Sequence, residues 1–186
     1  MTYEFTGFHG TDAGNVSNIQ KYNFAESRND DEWLGYGVYF FTGGISCPEG
    51  NAIEWAKNQA FNKDTRSYDY EEFAVLKVKA NVNSVLDTTT MEGLTAFNQL
   101  RDALIEKHDS YFKMNRNVFC DDRFMWNLVS QTMKLDAIIH NLYIKDKTQR
   151  LKKIRSNVPN TTVLCVKVAD SIDINSIEVV NEGRVV

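Results

Sequence analysis

Two short runs hold the side chains of this sequence best suited to chemistry: Phe8-His9-Gly10-Thr11 and, after a polar stretch, Gly35-Tyr36-Gly37-Val38-Tyr39-Phe40-Phe41. His9 is an imidazole whose charge can change near physiological pH. Gly10 beside it has no Cβ, so a ligand can approach its backbone closely. Tyr39 stands behind Gly35 and Gly37, whose conformational freedom lets a tight turn aim the aromatic ring. Singly, each has a plainer reading: a histidine at a strand end is more often structural than catalytic, and a tyrosine in Val-Tyr-Phe-Phe is more often core. Their joint occurrence with Gly10 and Gly37 points to a site for a flat, polar ligand.

The elements that must position them follow from hydrophobic periodicity. Residues 3–8 predict a strand that delivers His9 at its end, and residues 15–22 a short helix with Val16 and Ile19 one turn apart. Residues 23–34, dense in Asn, Asp, Glu and Ser, predict a loop able to cover a ligand. Residues 38–42 predict a second strand, followed by a helix from Gly50-Asn51 to about Phe61 that carries Ala52, Trp55 and Ala56. Alternation over 73–79 and again over 85–87 predicts a central strand pair or one long bent strand. Leu94, Phe97, Leu100 and Leu104, and then Phe124, Met125, Leu128 and Val129, mark two amphipathic helices. Residues 137–139, 161–168 and 176–180 predict further strands, the last at an edge. Helices are too few for a doubly wound sheet, so the expected class is α+β with a split or sandwiched antiparallel sheet.

The chain has 186 residues, enough for one domain with a proper core, and no linker rich in Pro, Gly or Ser divides it. The expectation is a single domain over 1–186. Its 42% apolar content and two prolines exclude a long disordered arm. No run approaches a membrane span, and Met1-Thr2-Tyr3-Glu4-Phe5 lacks the pattern of a secretory signal, which predicts a cytoplasmic protein without a membrane partner. Cys47, Cys120 and Cys165, an odd number at wide spacing, suggest structural thiols in a reducing compartment and no metal site. A net charge of −4 excludes a uniformly basic nucleic-acid binder. Yet Lys145, Lys147, Arg150, Lys152, Lys153 and Arg155 stand against Asp146 alone, a run that could track phosphates or be a solvated helix with Ile144, Leu151 and Ile154 turned inward.

His-Gly-Thr, then Gly-x-Gly-x-Tyr-Phe, then a helix carrying Ala52 and Trp55-Ala56, resembles the poly(ADP-ribose) polymerase-like and diphtheria-toxin-like ADP-ribosyltransferases, from about Phe5 onward. That family cleaves nicotinamide from NAD and has a ribosyl cation in its transition state. The resemblance implies that Gly10 offers its backbone to the nicotinamide carboxamide, that His9 and Thr11 hold ribose hydroxyls, and that Tyr39 stacks on the nicotinamide ring with Trp55 as the second aromatic. Such stacking gains about 0.5–1.5 kcal/mol beyond area burial. Gly37 would shape the turn, and Arg28, in a loop with Asp30, Asp31 and Glu32, could reach the pyrophosphate.

The first two members of the family's His-Tyr-Glu signature fall on His9 and Tyr39, but in the late strand Thr162 or a neighbour stands where the glutamate would be. A neutral hydroxyl cannot supply a full negative charge. Three readings stay open: a mono-ADP-ribosyltransferase with substrate assistance, which the family's own variation favours; recruitment of another carboxylate, such as Glu26, Glu71 or Glu72; or an inactive module that holds NAD or ADP-ribose. The resulting expectation is a bacterial or phage-related toxin or defence effector. It would move one ADP-ribose from NAD to a macromolecule, with RNA or single-stranded DNA slightly favoured by the basic run, and a neutralising antitoxin would restrain it. An RNA 2′-phosphotransferase would need arginines and a second histidine that the sequence does not assemble. A hydrolase built on Cys165 and His140 has no orienting motif.

Overall fold

A computed structural model describes residues 1–29, 32–113 and 118–186 of the chain, with the side chains of 118–120 also outside the description. β1 (Tyr3–Asp12) leads through a 3-10 turn into α1 (Val16–Tyr22), and the chain returns as β2 (Val38–Phe41). Next come α2 (Pro48–Gln59), a small hairpin of β3 (Phe61–Asn62) and β4 (Ser67–Tyr68), the long β5 (Glu72–Val82) and the short β6 (Val85–Asp87). The helices α3 (Met91–Lys107), α4 (Asp109–Phe112) and α5 (Val118–Met133) precede β7 (Ala137–Leu142). A loop carrying α6 (Lys147–Leu151) leads to β8 (Thr161–Val166), and β9 (Glu178–Arg184) comes last.

The main sheet has the order β6-β7-β8-β2-β1-β5-β9, and every neighbouring pair is antiparallel except β6–β7. The class is α+β, as the sequence predicts. Strand alternation builds a core on each face of this sheet. On one face Val38 and Phe40 of β2, Leu76 and Val78 of β5, and Leu164 and Val166 of β8 pack together with Phe24 and Ile172. On the other face Phe41, Val163, Cys165 and Ile138 meet Ala52 and Ala56 of α2, Phe97 of α3, and Trp126 and Val129 of α5.

The seams of the sheet are unequal. β1 and β5 are in register along the whole of β1, from Tyr3↔Val82 to Asp12↔Phe73, and β2 runs beside β8 from Val38↔Val166 to Phe41↔Val163. β1 and β2 meet only at Phe8↔Phe41. The sheet is therefore one hydrogen-bonded unit that is nearly divided in its middle, which is the sense in which it is split.

Two expectations need correction. β1 continues to Asp12, so His9 and Gly10 lie inside a strand and not at its end. Residues 73–79 and 85–87 are neither a strand pair nor one bent strand: β5 lies between β1 and β9, whereas β6 is the opposite edge of the sheet. The turn between them is fixed by Asp136, whose Oδ2 accepts from the amides of Asn83 (2.8 Å) and Ser84 (3.2 Å) just before β7 begins. Periodicity reports which residues alternate, but not which strand they alternate beside.

Candidate functional site

The site opens where the β1–β2 ladder stops. The Thr6 carbonyl accepts from Thr42 Oγ1 (2.8 Å), so the backbone edges of the alternate residues Thr6, Phe8 and Gly10 face β2. In a continued ladder Gly10 would pair with Tyr39. Instead, the Tyr39 carbonyl meets Nδ1 of His9 at 2.9 Å. A carbonyl can only accept, so Nδ1 carries the proton and Nε2 of the neutral ring is an acceptor without a partner among the described residues. Burial holds the His9 pKa below its ordinary value, although the bond to Tyr39 works against this. The ring is wedged edge-on against Phe24 (5.1 Å) and Phe40 (5.9 Å).

The opening passes through the sheet as a cleft of about 300 Å³ lined by His9, Gly10, Glu32, Trp33, Gly37, Tyr39 and Trp55, among others. Three aromatic rings stand edge-to-face along it: Trp33 lies 5.1 Å from Trp55 and 6.3 Å from Tyr39. Phe41 closes the row, 6.5 Å from Trp55. The glycines answer to packing as well as to any ligand. A Cβ on Gly10 would overlap the Ala52 carbonyl oxygen and stand 2.9 Å from its carbon, so only glycine lets α2 lie this close to β1. Gly37 has φ +154°, and a Cβ there would stand 2.6 Å from Cys165 Sγ.

The Tyr39 hydroxyl is committed to the chain around it. It donates to the Gly35 carbonyl (2.5 Å) and accepts from the Leu34 amide (2.9 Å), and burial pushes its pKa far above the usual range. The same turn is held from outside, since Lys167 Nζ donates to the carbonyls of Leu34 and Tyr36 (2.8 Å for Tyr36) and Asn127 Oδ1 accepts from the Tyr36 amide (2.8 Å). What Tyr39 offers a ligand is its ring.

The structure thus brings His9, Gly10, Gly37, Tyr39 and Trp55 together, and leaves three expected residues outside. Thr11 lies on the same face of β1 as His9 but does not line the cleft, and Asn15 Nδ2 donates to its Oγ1 at 3.4 Å. Arg28 turns outward, paired with Glu26 at 2.8 Å and 5.8 Å from the Tyr36 ring. Its side chain is 70% exposed, and Asp30 and Asp31 beside it lie outside the described residues. Thr162 is misplaced for a reason of parity. Tyr39 faces Cys165 and Phe41 faces Val163 across the β2–β8 pair, so Thr162 projects from the opposite face. It is 3% exposed, donates to Asn141 Oδ1 (2.7 Å), and accepts from the Ile45 amide (3.1 Å).

Among the carboxylates the sequence offered as substitutes, Glu26 is tied to Arg28, and Glu71 and Glu72 are exposed near the start of β5. The residues that sequence reasoning missed are Glu32, Trp33, Asn127 and Lys167. The apolar pair Trp33-Leu34 inside a polar stretch was a signal for the second; nothing marked the others.

The basic run forms a projecting loop. Asp146 and Gln149 cap α6 reciprocally, and Lys147, Lys152, Lys153 and Arg155 are exposed while Arg150 folds back, its Nε donating to the Lys145 carbonyl (3.0 Å). Of the three residues expected to face inward, Ile144 packs against the core, whereas Leu151 is 75% exposed and Ile154 42%. α6 has five residues, too few to press a stripe onto the core. A second cavity of about 540 Å³ separates this loop from α2 and shares the walls Phe41 and Trp55 with the cleft.

Cys47 is exposed and Cys165 buried, both free thiols, and the Cys120 side chain lies outside the described residues. Cys165 and His140 do not pair. The thiol approaches the Tyr36 carbonyl (3.8 Å), and His140 Nδ1 meets Thr88 Oγ1 (2.8 Å). Among the described residues no group of three His, Cys, Asp or Glu could hold a metal ion, and no helix is long and apolar enough to cross a membrane.

No protein-family model matches this chain, and a comparison with curated proteins finds no match. Among solved structures it is similar to a chain in the crystal structure of the M. tuberculosis MbcT-MbcA toxin-antitoxin complex, at 8% identity over 99% of this chain and 85% of that chain, with a TM-score of 0.44. A likeness of that degree transfers no residue role, so the functional reading rests on the cleft itself.

Proposed function

We propose that this protein binds NAD in the β1–β2 cleft and transfers a single ADP-ribose to a macromolecular acceptor. The observation that carries this reading is the Gly10–Tyr39 pair that the ladder does not complete. A carboxamide offers one donor and one acceptor side by side, as a strand edge does, and would take the place of that pair at Gly10. The nicotinamide ring would then lie against Tyr39, with Trp55 and Trp33 completing an aromatic enclosure. His9, neutral and with Nε2 as an acceptor, would take a hydrogen bond from a ribose hydroxyl on the other side of the opening.

The chemistry this asks of the protein is modest. The bond from the anomeric carbon to the pyridinium nitrogen breaks with its electron pair going to nitrogen, so nicotinamide leaves as a neutral molecule and needs no proton. The protein's work is to hold the bent dinucleotide, exclude water, and place negative charge near the developing cation.

We favour a nucleic-acid acceptor, RNA or single-stranded DNA. The exposed cations Lys147, Lys152, Lys153 and Arg155 form a surface that can follow phosphates, next to a cavity that shares Trp55 with the cleft. An enzyme that consumes NAD and modifies nucleic acid harms the cell that makes it, which is the basis for proposing a toxin-type role and a restraining antitoxin protein. The alternative is a module that binds NAD without turnover, favoured by the position of Thr162 away from the cleft.

The test is incubation of the protein with labelled NAD and separated RNA, single-stranded DNA and protein fractions, beside a His9→Ala, Tyr39→Ala variant and a Lys152→Glu, Lys153→Glu, Arg155→Glu variant. The expected result is label in nucleic acid that both variants lose, while the charge variant still binds NAD. Label confined to protein would refute the acceptor, and NAD binding without nicotinamide release would select the binding module.

A further inference from the structure

Glu32 is a carboxylate in the cleft that neither strand pattern nor motif predicts. On the cleft side of β8 the residues are Thr161, Val163 and Cys165, of which Val163 lines the cleft, so that strand supplies no negative charge. Glu32 reaches the same space from the loop before Trp33. Its orientation is determined at one oxygen: Ser27 Oγ donates to Oε1, and Asn29 Nδ2 lies 3.4 Å from the same atom. Ser27 is itself fixed by a two-way backbone bridge to Gly37, in which the Ser27 amide donates to the Gly37 carbonyl (2.9 Å) and the Gly37 amide donates back (3.2 Å). The second oxygen, Oε2, has no partner among the described residues. Glu32 is near enough to Tyr39 and Cys165 for its charge to push both of their pKa values upward.

We infer that Glu32 is the carboxylate that steadies the ribosyl cation at this site, an inference that rests on the NAD reading above. Two neutral donors on Oε1 aim the side chain, leaving Oε2 to accept from a hydroxyl of the nicotinamide-side ribose. As the anomeric carbon loses nicotinamide, with the bonding pair departing on nitrogen, the carboxylate faces the growing positive charge. The acceptor nucleophile then supplies the pair for the new bond to that carbon and releases its proton to solvent. A loop carboxylate thus takes the role that β8 cannot, and Ser27, held by its bridge to Gly37, gives it a fixed donor.

The test compares wild type, Glu32→Gln, Glu32→Asp and Ser27→Ala, measuring NAD binding by tryptophan fluorescence and nicotinamide release at saturating NAD in the presence of the RNA, single-stranded DNA and protein fractions as acceptors. Glu32→Gln should lower kcat on the order of 100-fold, the scale of one lost charge-stabilising group, with KM changed by less than about threefold. Glu32→Asp should recover part of the rate, and Ser27→Ala should lie between it and wild type. A Glu32→Gln variant with wild-type kcat overturns the inference and leaves the NAD reading standing, as does a wild-type protein that binds NAD but releases no nicotinamide. A wild-type protein that does not bind NAD overturns both.

Discussion

Replacing Tyr39 by Phe separates what the ring does from what the hydroxyl does. The hydroxyl makes two hydrogen bonds, to the Gly35 carbonyl and from the Leu34 amide, and both residues are buried. Each bond is worth about 0.5–1.5 kcal/mol net, and a buried group left unsatisfied costs about 1–3 kcal/mol. Lys167 and Asn127 still hold the turn, which places the expected loss of stability at about 2–3 kcal/mol. The ring keeps its place against Trp33, so NAD affinity and nicotinamide release should stay within a few-fold of wild type. Tyr39→Ala also removes the stacking surface, and NAD affinity should then fall by about tenfold or more. Urea unfolding followed at the tryptophans gives the stability, and nicotinamide release gives the activity. A Tyr39→Phe protein of unchanged stability whose release is 100-fold slower would refute the reasoning, because the hydroxyl would then be acting on substrate.

Gly10→Ala should be among the most damaging single-methyl additions in the chain. The new Cβ would overlap a helix backbone oxygen, which cannot swing aside as a side chain does, so a loss of about 3 kcal/mol or more is expected. A melting temperature equal to wild type would show that α2 shifts freely, contrary to the packing described. The pH dependence of stability has a definite sign. Burial lowers the pKa of His9 and of His140 below 6.5, so on acidification the unfolded chain takes up protons first. Their contribution is fully present above about pH 6.5 and is lost as pH falls below it, by at most about 1.4 kcal/mol per pH unit for each histidine. Denaturant titrations from pH 7.5 to 5 should show this slope, and it should flatten in a His9→Gln, His140→Gln variant. An unchanged slope would refute it.

Local signals were read well where the residues concerned decide the outcome locally. Alternation located β2, β7 and β8, and helical spacing located α3 and α5. Gly10 and Tyr39 stand out only in combination with His9 and Gly37, because a strand glycine needs a reason whereas a strand tyrosine alone does not. What escaped depended on which strand lies beside which. Thr162 was chosen from its position along β8, yet one step of register decides which face a side chain takes, and that step is set by pairing with β2. Arg28 and Glu32 sit in one polar loop, and sequence gave no means of ranking them. In the fold Arg28 turns toward Glu26, and Glu32 lines the cleft with Ser27 Oγ donating to its carboxylate. Leu151 and Ile154 were expected inward from spacing alone, but a five-residue helix has no second turn to anchor its apolar face.

The link between fold and function lies in how β1 and β2 part. A sheet that continued its ladder from Phe8↔Phe41 would gain a further backbone pair at Gly10↔Tyr39, and nothing in the identity of those residues forbids it. The His9 ring occupies the Tyr39 carbonyl instead, which satisfies that acceptor while keeping the strands apart. The imidazole therefore acts as a wedge, and the fixed tautomer that follows leaves Nε2 available as an acceptor. On the neighbouring face α2 presses so close to Gly10 that no side chain could fill the gap from that direction. The cleft is thus bounded by backbone on one wall and by aromatic rings on another, with the Glu32 carboxylate at its rim. An amide attached to a flat ring would match that combination under the proposed function: the amide would complete the interrupted ladder, the ring would meet the aromatics, and the positive charge of a pyridinium would meet the carboxylate. A carboxylic acid in place of the amide would bring acceptors alone, and would set its charge against Glu32.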